Sequence, residues 1–115
     1  MSRTVDVRCP VARTLDIIGE RWTLLILRDL VLHGPRKFQD FQRSFGGISP
    51  NTLSARLKTL EDAGVVERRF YEWRPPRAEY VLTEKGRALS PVLRALREWG
   101  ERYAPRPTVK QITTS

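Results

Sequence analysis

The sequence holds a single cysteine, Cys9, and a single histidine, His33. One cysteine excludes an internal disulfide framework, and one histidine beside it cannot build a Cys/His zinc cluster, so neither a structural metal nor another cofactor is expected. The same scarcity leaves no nucleophile, base and orienting partner to assemble, and the chain is expected not to be an enzyme. No apolar run approaches the roughly 18 residues of a membrane span, and the stretch from Met1 to Arg8 lacks the apolar centre of a secretory signal. A cytoplasmic protein without a membrane partner is the expectation. Acidic residues are also short in number: 13 Asp and Glu face 21 Lys and Arg, for a formal net charge of +8. That balance favours a polyanionic partner, nucleic acid or an anionic surface, and by itself does not choose between them. A length of 115 residues with 40% hydrophobic content suits one domain with one modest core.

What is present is mostly helical. Residues 1–8 carry no periodic pattern and read as a flexible arm. From Cys9 to Gly19, Pro10 in the first turn, apolar Val11, Leu15 and Ile18, and a closing Gly predict a short helix. Arg21 to Leu32 is apolar on nearly all sides apart from Arg28 and Asp29, which predicts the most buried helix, ended by His33-Gly34-Pro35. At that position a helix C-terminus accounts for the imidazole without a catalytic role. Arg36-Lys37 is a short extended lead-in to a third helix, Phe38 to Phe45, with Phe38, Phe41 and Phe45 as its buried stripe.

Gly46-Gly47 then turns the chain into Ile48 to Gly64, where Ser49 caps, Pro50 takes the first helical position and Gly64 ends the helix. Leu53, Leu57 and Leu60 form one apolar stripe. Asn51, Ser54, Ala55, Lys58 and Thr59 point away from it, with Thr52 and Arg56 on the flanks. Such a small, hydrogen-bonding and cationic face suits close approach to base edges and phosphates, and it equally suits an ordinary solvated surface. Two short helices joined through glycine have the layout of a helix-turn-helix.

Beyond Gly64 the periodicity changes to that of strands. Val65 to Tyr71 and Ala78 to Thr83 are expected to pair as an antiparallel hairpin, with the Pro-Pro pair placing Glu72 to Arg77 in its loop. Four Arg against one Glu between Arg68 and Arg77 leave a local balance of +3, a basic wing beside the second helix or simply a solvated charged turn. Thr83 caps a further helix, and Ser90-Pro91 restarts it, with Ser90 able to cap the restarted helix. Val92, Leu93, Leu96, Trp99 and Tyr103 recur at helical spacing, fit either to pack on a partner subunit or to fold back on the first helix. Residues 104–115 read as a disordered tail, leaving 9–103 as the domain.

Three blocks in register resemble one family. They are Cys9-Pro10-Val11 with Leu15 to Gly19 and Arg21 to Leu30, then Ile48-Ser49-Pro50 with Leu53, Arg56-Leu57, Leu60-Glu61, Gly64 and Val66. The third runs through Tyr71, Pro75-Pro76-Arg77, Glu79-Tyr80, Leu82-Thr83, Gly86, Leu89, Pro91 and Trp99-Gly100. Together they resemble the HxlR-type bacterial winged helix-turn-helix regulators over roughly Cys9 to Gly100. One departure is Glu20, where that family commonly carries a second glycine followed by Lys or Arg before its Trp; it falls at a helix junction rather than on the DNA face.

The resemblance implies a mainly α fold with a small antiparallel β-hairpin, a winged helix-turn-helix with N- and C-terminal dimerisation helices. It further implies a homodimer on double-stranded DNA that represses or activates nearby genes. Symmetry would place the two copies of the Ser49 to Thr59 helix in successive major grooves about 34 Å apart, on an inverted repeat. Asn51, Thr52, Ser54, Ala55 and Lys58 are then the base-reading or close-approach positions beside the capping Ser49, with Arg56 on a base edge or phosphate. Arg36, Lys37, Arg74 and Arg77 are the phosphate or minor-groove positions. Val11, Leu15, Val92, Leu93, Leu96, Trp99 and Tyr103 are the dimerisation positions. Several such regulators sense through a cysteine at the place of Cys9, whose helix-start position near Arg8 and Arg13 suits reaction with oxidants or electrophiles; a plain capping role fits it as well. An oxidant or small-molecule effector is then implied. The competing reading is a winged-helix protein-interaction module that never reads DNA; an acidic or apolar outer helix face would favour it, and the sequence has neither.

Overall fold

Among the described residues six helices and one hairpin succeed one another: α1 (Pro10–Ile18), α2 (Arg21–His33), α3 (Phe38–Ser44), α4 (Pro50–Asp62), β1 (Val66–Trp73), β2 (Pro76–Leu82), α5 (Glu84–Arg87) and α6 (Ser90–Tyr103). The computed structural model describes residues 8–107. Residues 1–7 of the expected arm and 108–115 of the expected tail lie outside the described residues.

The core forms where α2, α3 and α4 cross. Ile26 and Leu27 of α2, Phe41 of α3 and the Leu53, Leu57 and Leu60 stripe of α4 are all buried, joined by Val65 and Val66 at the start of the hairpin. Each such side chain contributes roughly 1.5–3 kcal/mol through the apolar area it withdraws from water. The boundaries of α4 are those of its local chemistry. Ser49 Oγ accepts from Thr52 N at 3.1 Å, Pro50 starts the helix, and Gly64 takes a positive φ of 75° just beyond it. Lys85 Nζ donates to Ala63 O at the C-terminal end, where a cation also meets the negative end of the helix dipole. At the α1 to α2 junction, Glu20 caps α2 by accepting from Thr23 N at 3.0 Å. The departure from the family pattern thus supplies a capping carboxylate where glycine would offer none.

One expectation is refined and two are corrected. α2 carries five buried residues, more than any other helix among the described residues, although Val31 and Leu32 near its end are exposed. Asp29, a polar exception in its pattern, is 2% exposed and held by Arg28 at 3.2 Å and Arg36 at 3.2 Å. The hairpin loop is shorter than expected, because Glu72, Trp73, Pro76 and Arg77 all lie within the strands. In a two-stranded sheet both strands are edges, and a proline at the first residue of β2 breaks no ladder. Ser90 does not cap α6; it is already helical, and Leu89 holds the cap position without a side-chain bond.

The hairpin is tied to the helix-turn-helix by the Arg36 backbone, whose N–H donates to Tyr80 O at 3.0 Å and whose carbonyl accepts from Tyr80 N at 2.7 Å. Burial pushes the Tyr80 phenol above its ordinary pKa, with Arg68 pulling the other way. No helix among the described residues is long and apolar enough to cross a membrane.

Candidate nucleic-acid interface

On α4 the capped start and the three buried leucines fix which side chains face outward. Asn51, Ser54, Ala55, Lys58 and Thr59 are exposed, and Thr52 and Arg56 are half-buried. Several of these are already occupied. Ser49 Oγ donates to Thr52 Oγ1 at 2.9 Å, Thr59 back-bonds to Ala55 O at 3.1 Å, and Lys58 pairs with Asp62 at 3.1 Å. An exposed i,i+4 pair is worth only a few tenths of a kcal/mol, so Lys58 is cheaply redirected to a phosphate. Arg56 lies with its Nε buried and without a partner, its stem against the protein.

The helix-turn-helix is braced at the start of α3. Lys37 N donates to Asp40 Oδ2 at 2.8 Å, one half of a capping box. The Lys37 ammonium stands over the Tyr71 ring, 5.2 Å from its centre. Lys37, Gln39, Gln42, Tyr71 and Arg77 line one cleft between α3 and the hairpin.

Arg36 has a different task from the one expected. Its guanidinium is 21% exposed and turned inward, with Nη2 donating to Asp29 Oδ2 at 3.2 Å and to Ser44 Oγ at 2.7 Å. A guanidinium so engaged holds the interior together instead of reaching for phosphate. In the wing, Arg68 pairs with Glu61, Arg69 with Glu79 and Arg77 with Glu72. Among the described residues no ion pair engages Arg74. Much of the local +3 is therefore offset in place, and Arg74 at the tip carries the least encumbered charge.

Residue spacing alone did not single out Trp73. Strand alternation would put residues 70 and 73 on opposite faces, but the register shifts between Phe70 and Glu72, leaving Tyr71 as the extra residue. The shift brings Trp73 onto the face of Phe70, where the rings stack at 4.7 Å and 18°. Trp73 nevertheless stays 68% exposed. The signal in the sequence was a tryptophan beside Arg-Pro-Pro, a large ring at a tip with nothing local to bury it.

The expected dimerisation positions divide. Val11 and Leu15 on α1 and Val92, Leu96, Trp99 and Tyr103 on α6 are exposed, Trp99 at 62%. Leu93 is turned the other way and packs against this chain's own core. One residue of helix is a rotation of roughly 100°, enough to move Leu93 away from the face that presents Val92. Cys9 is exposed at the N-cap of α1 and makes no side-chain cap hydrogen bond.

The profile of the HxlR-like helix-turn-helix family matches residues 17–108. The chain is 42% identical over 98 residues to the HTH-type transcriptional regulator YdeP of Bacillus subtilis, covering 85% of this chain and 76% of that one. It is 46% identical over 97 residues to an HTH-type transcriptional regulator of Mycobacterium tuberculosis, covering 84% of this chain and 60% of the longer relative. Among solved structures, the redox regulator HypR in its oxidized form superposes with a TM-score of 0.78 at 38% identity. That match covers 87% of this chain and 100% of the other.

Proposed function

Because the chain belongs to the HxlR-like helix-turn-helix family of DNA-binding transcriptional regulators, we propose that it acts as a homodimer on an inverted-repeat operator. In this reading α4 enters the major groove and the hairpin tip lies along the flanking backbone or minor groove. The observation that carries it is the outer face of α4: small, uncharged or cationic side chains, free of carboxylates from Asn51 to Thr59, over a fully buried leucine stripe. Asn51 and Ser54 are the base-reading positions, with Ala55 permitting close approach and Ser49, Thr52, Arg56 and Lys58 beside them. Lys37, Arg74 and Arg77 hold phosphates, and Arg36 positions the helix-turn-helix from inside. Exposed apolar residues of α1 and α6 supply the subunit contact.

The roles separate in a gel-shift series over salt, using DNA upstream of the protein's own gene. Arg74→Ala is expected to weaken binding to every sequence and to reduce the slope of log affinity against log salt by about one. Asn51→Ala is expected to lower affinity for the preferred site about tenfold while leaving random DNA nearly unaffected. Two variants indistinguishable from the parent in affinity and slope would refute the assignment.

A second reading concerns Cys9, which is exposed and uncommitted at the start of the proposed dimerisation helix. The redox-regulator designation of HypR supports a sensing role for it. With no second cysteine in the chain, the modified state is an adduct or a bond between subunits. Treatment with a quinone, an aldehyde or hypochlorite is expected to add mass at Cys9 and release DNA, and Cys9→Ser is expected to stay bound. Release of DNA with Cys9 unmodified by mass spectrometry would exclude the role.

A further inference from the structure

α2 carries a second apolar face that its own core covers only in part. Leu24, Leu25, Val31 and Leu32 line a groove against Leu93 of α6, and Leu32 is 65% exposed. The groove has a volume of about 580 Å³, within the size range of small-molecule sites. Its rim holds Arg28, Arg94 and Arg97, and no carboxylate lines it. Among the described residues no ion pair engages Arg94 or Arg97. An apolar floor under three guanidiniums is complementary to an apolar body bearing one negative charge: a neutral ligand would leave the cations unanswered, and a small inorganic anion would leave the floor wet.

The groove adjoins the proposed subunit contact and shares Leu96 with it. At 3.6 residues per turn, Ser90, Leu93, Arg94 and Arg97 centre roughly 150° around α6 from Val92, Trp99 and Tyr103, with Leu96 between the two sets. A second copy seated on the Trp99 stripe would face away from the side of α6 that carries Arg94 and Arg97.

One of the rim cations leads to the helix-turn-helix. Arg28 Nη2 lies 3.2 Å from Asp29 Oδ1, and the other oxygen of that buried carboxylate lies 3.2 Å from Arg36 Nη2. The same Arg36 nitrogen reaches Ser44 Oγ of α3 at 2.7 Å, and the Arg36 backbone is paired with Tyr80 of the hairpin.

We propose that the groove between α2 and α6 binds an amphipathic organic monocarboxylate with an aromatic or medium-chain aliphatic body, and that its occupancy lowers DNA affinity through Arg28, Asp29 and Arg36. The ligand carboxylate recruits Arg28 together with Arg94 and Arg97. Asp29 is then compensated by Arg36 alone, which draws that guanidinium from Ser44 and shifts α3 against the hairpin. The regulatory half rests on the DNA-binding reading above; the binding half does not.

The probes are 2-naphthoate and decanoate, with 2-naphthalenemethanol as the uncharged control, titrated into the full chain by calorimetry. A carboxylate is expected to bind at least tenfold more tightly than the alcohol, and Arg94→Gln combined with Arg97→Gln is expected to abolish that preference. Saturating carboxylate is expected to raise the gel-shift Kd about tenfold, within the usual range of coupling between sites. In Arg28→Gln the probe should still bind through Arg94 and Arg97 while the DNA Kd no longer responds. Absence of binding by both carboxylates, or equal binding of acid and alcohol, would overturn the site. A Leu32→Asp variant that turns a dimer into monomers would overturn it too, by assigning the groove to a second copy. Carboxylate binding with an unmoved DNA Kd would overturn the coupling. Ligand-free protein that binds no DNA would instead refute the DNA reading and leave the calorimetric result standing.

Discussion

Gly86→Ala is expected to lower stability by about 3 kcal/mol, the upper end of what one added methyl does in a packed interior. A Cβ at position 86 would lie 2.2 Å from Val65 O and 2.9 Å from Leu82 Cδ2. The first of these atoms cannot retreat cheaply. Val65 O accepts from Thr83 N at 3.1 Å, and Val65 N donates to Leu60 O at 2.9 Å, so the same residue closes both the exit of α4 and the start of α5. Relief of the clash therefore moves α4 against the hairpin, the two elements whose spacing a DNA site would read. Thermal melting should show a decrease on the order of 10–20 °C for a domain of this size. Gly46→Ala is the control: its Cβ would meet nothing within 4 Å, and the loss of unfolded-state freedom should leave it neutral or slightly stabilised. Equal melting temperatures for the two variants would show that the Gly86 contact is not tight.

Asp29→Ala is expected to cost about 2–3 kcal/mol. Breaking a buried ion pair by deleting one partner typically costs 3–5 kcal/mol, because the remaining charge stays buried. Here the figure is lowered, since Arg28 is 49% exposed and Arg36 is 21% exposed, so water reaches both guanidiniums after the loss. The carboxylate and Thr23 are the two buried polar side chains of α2, and the carboxylate joins α2 to the start of α3 through a side chain seven positions along. Urea unfolding of Asp29→Ala, Arg36→Ala and the double variant should give a coupling of about 1 kcal/mol or more for the pair. Asp29→Asn should fall between, keeping the hydrogen bonds without the charge. Additive losses would show that Asp29 and Arg36 act independently, and would remove the link on which the groove's influence over α3 depends.

The helix-turn-helix was legible because its signals are local. Ser49, Pro50 and Gly64 act within a turn of their own positions, and the spacing of Leu53, Leu57 and Leu60 states which side of α4 is buried. Local signals say nothing of a partner that sits elsewhere in the chain. Asp29 looked like a polar exception until Arg36 came to face it. Leu93 belonged by spacing to the stripe of Val92 and Leu96, and the packing of α6 on α2 turned it inward. Arg36 counted as a surface cation for the same reason. In the wing, a single extra residue at Tyr71 put Trp73 on the face of Phe70, against simple alternation.

The sequence by itself determined the order of the elements and the outward face of α4, and its three blocks of family resemblance implied the winged helix-turn-helix class. The order and the face arise from neighbours within one helical turn or one strand repeat, where covalent spacing sets which side chains share a face. Only the tertiary structure decided which arginines are spent, which apolar residues remain uncovered, and that an apolar groove with a cationic rim runs between α2 and α6. Those outcomes depend on carboxylates and helices brought together from distant parts of the chain, and burial changes what a charge can do only after its partner has arrived.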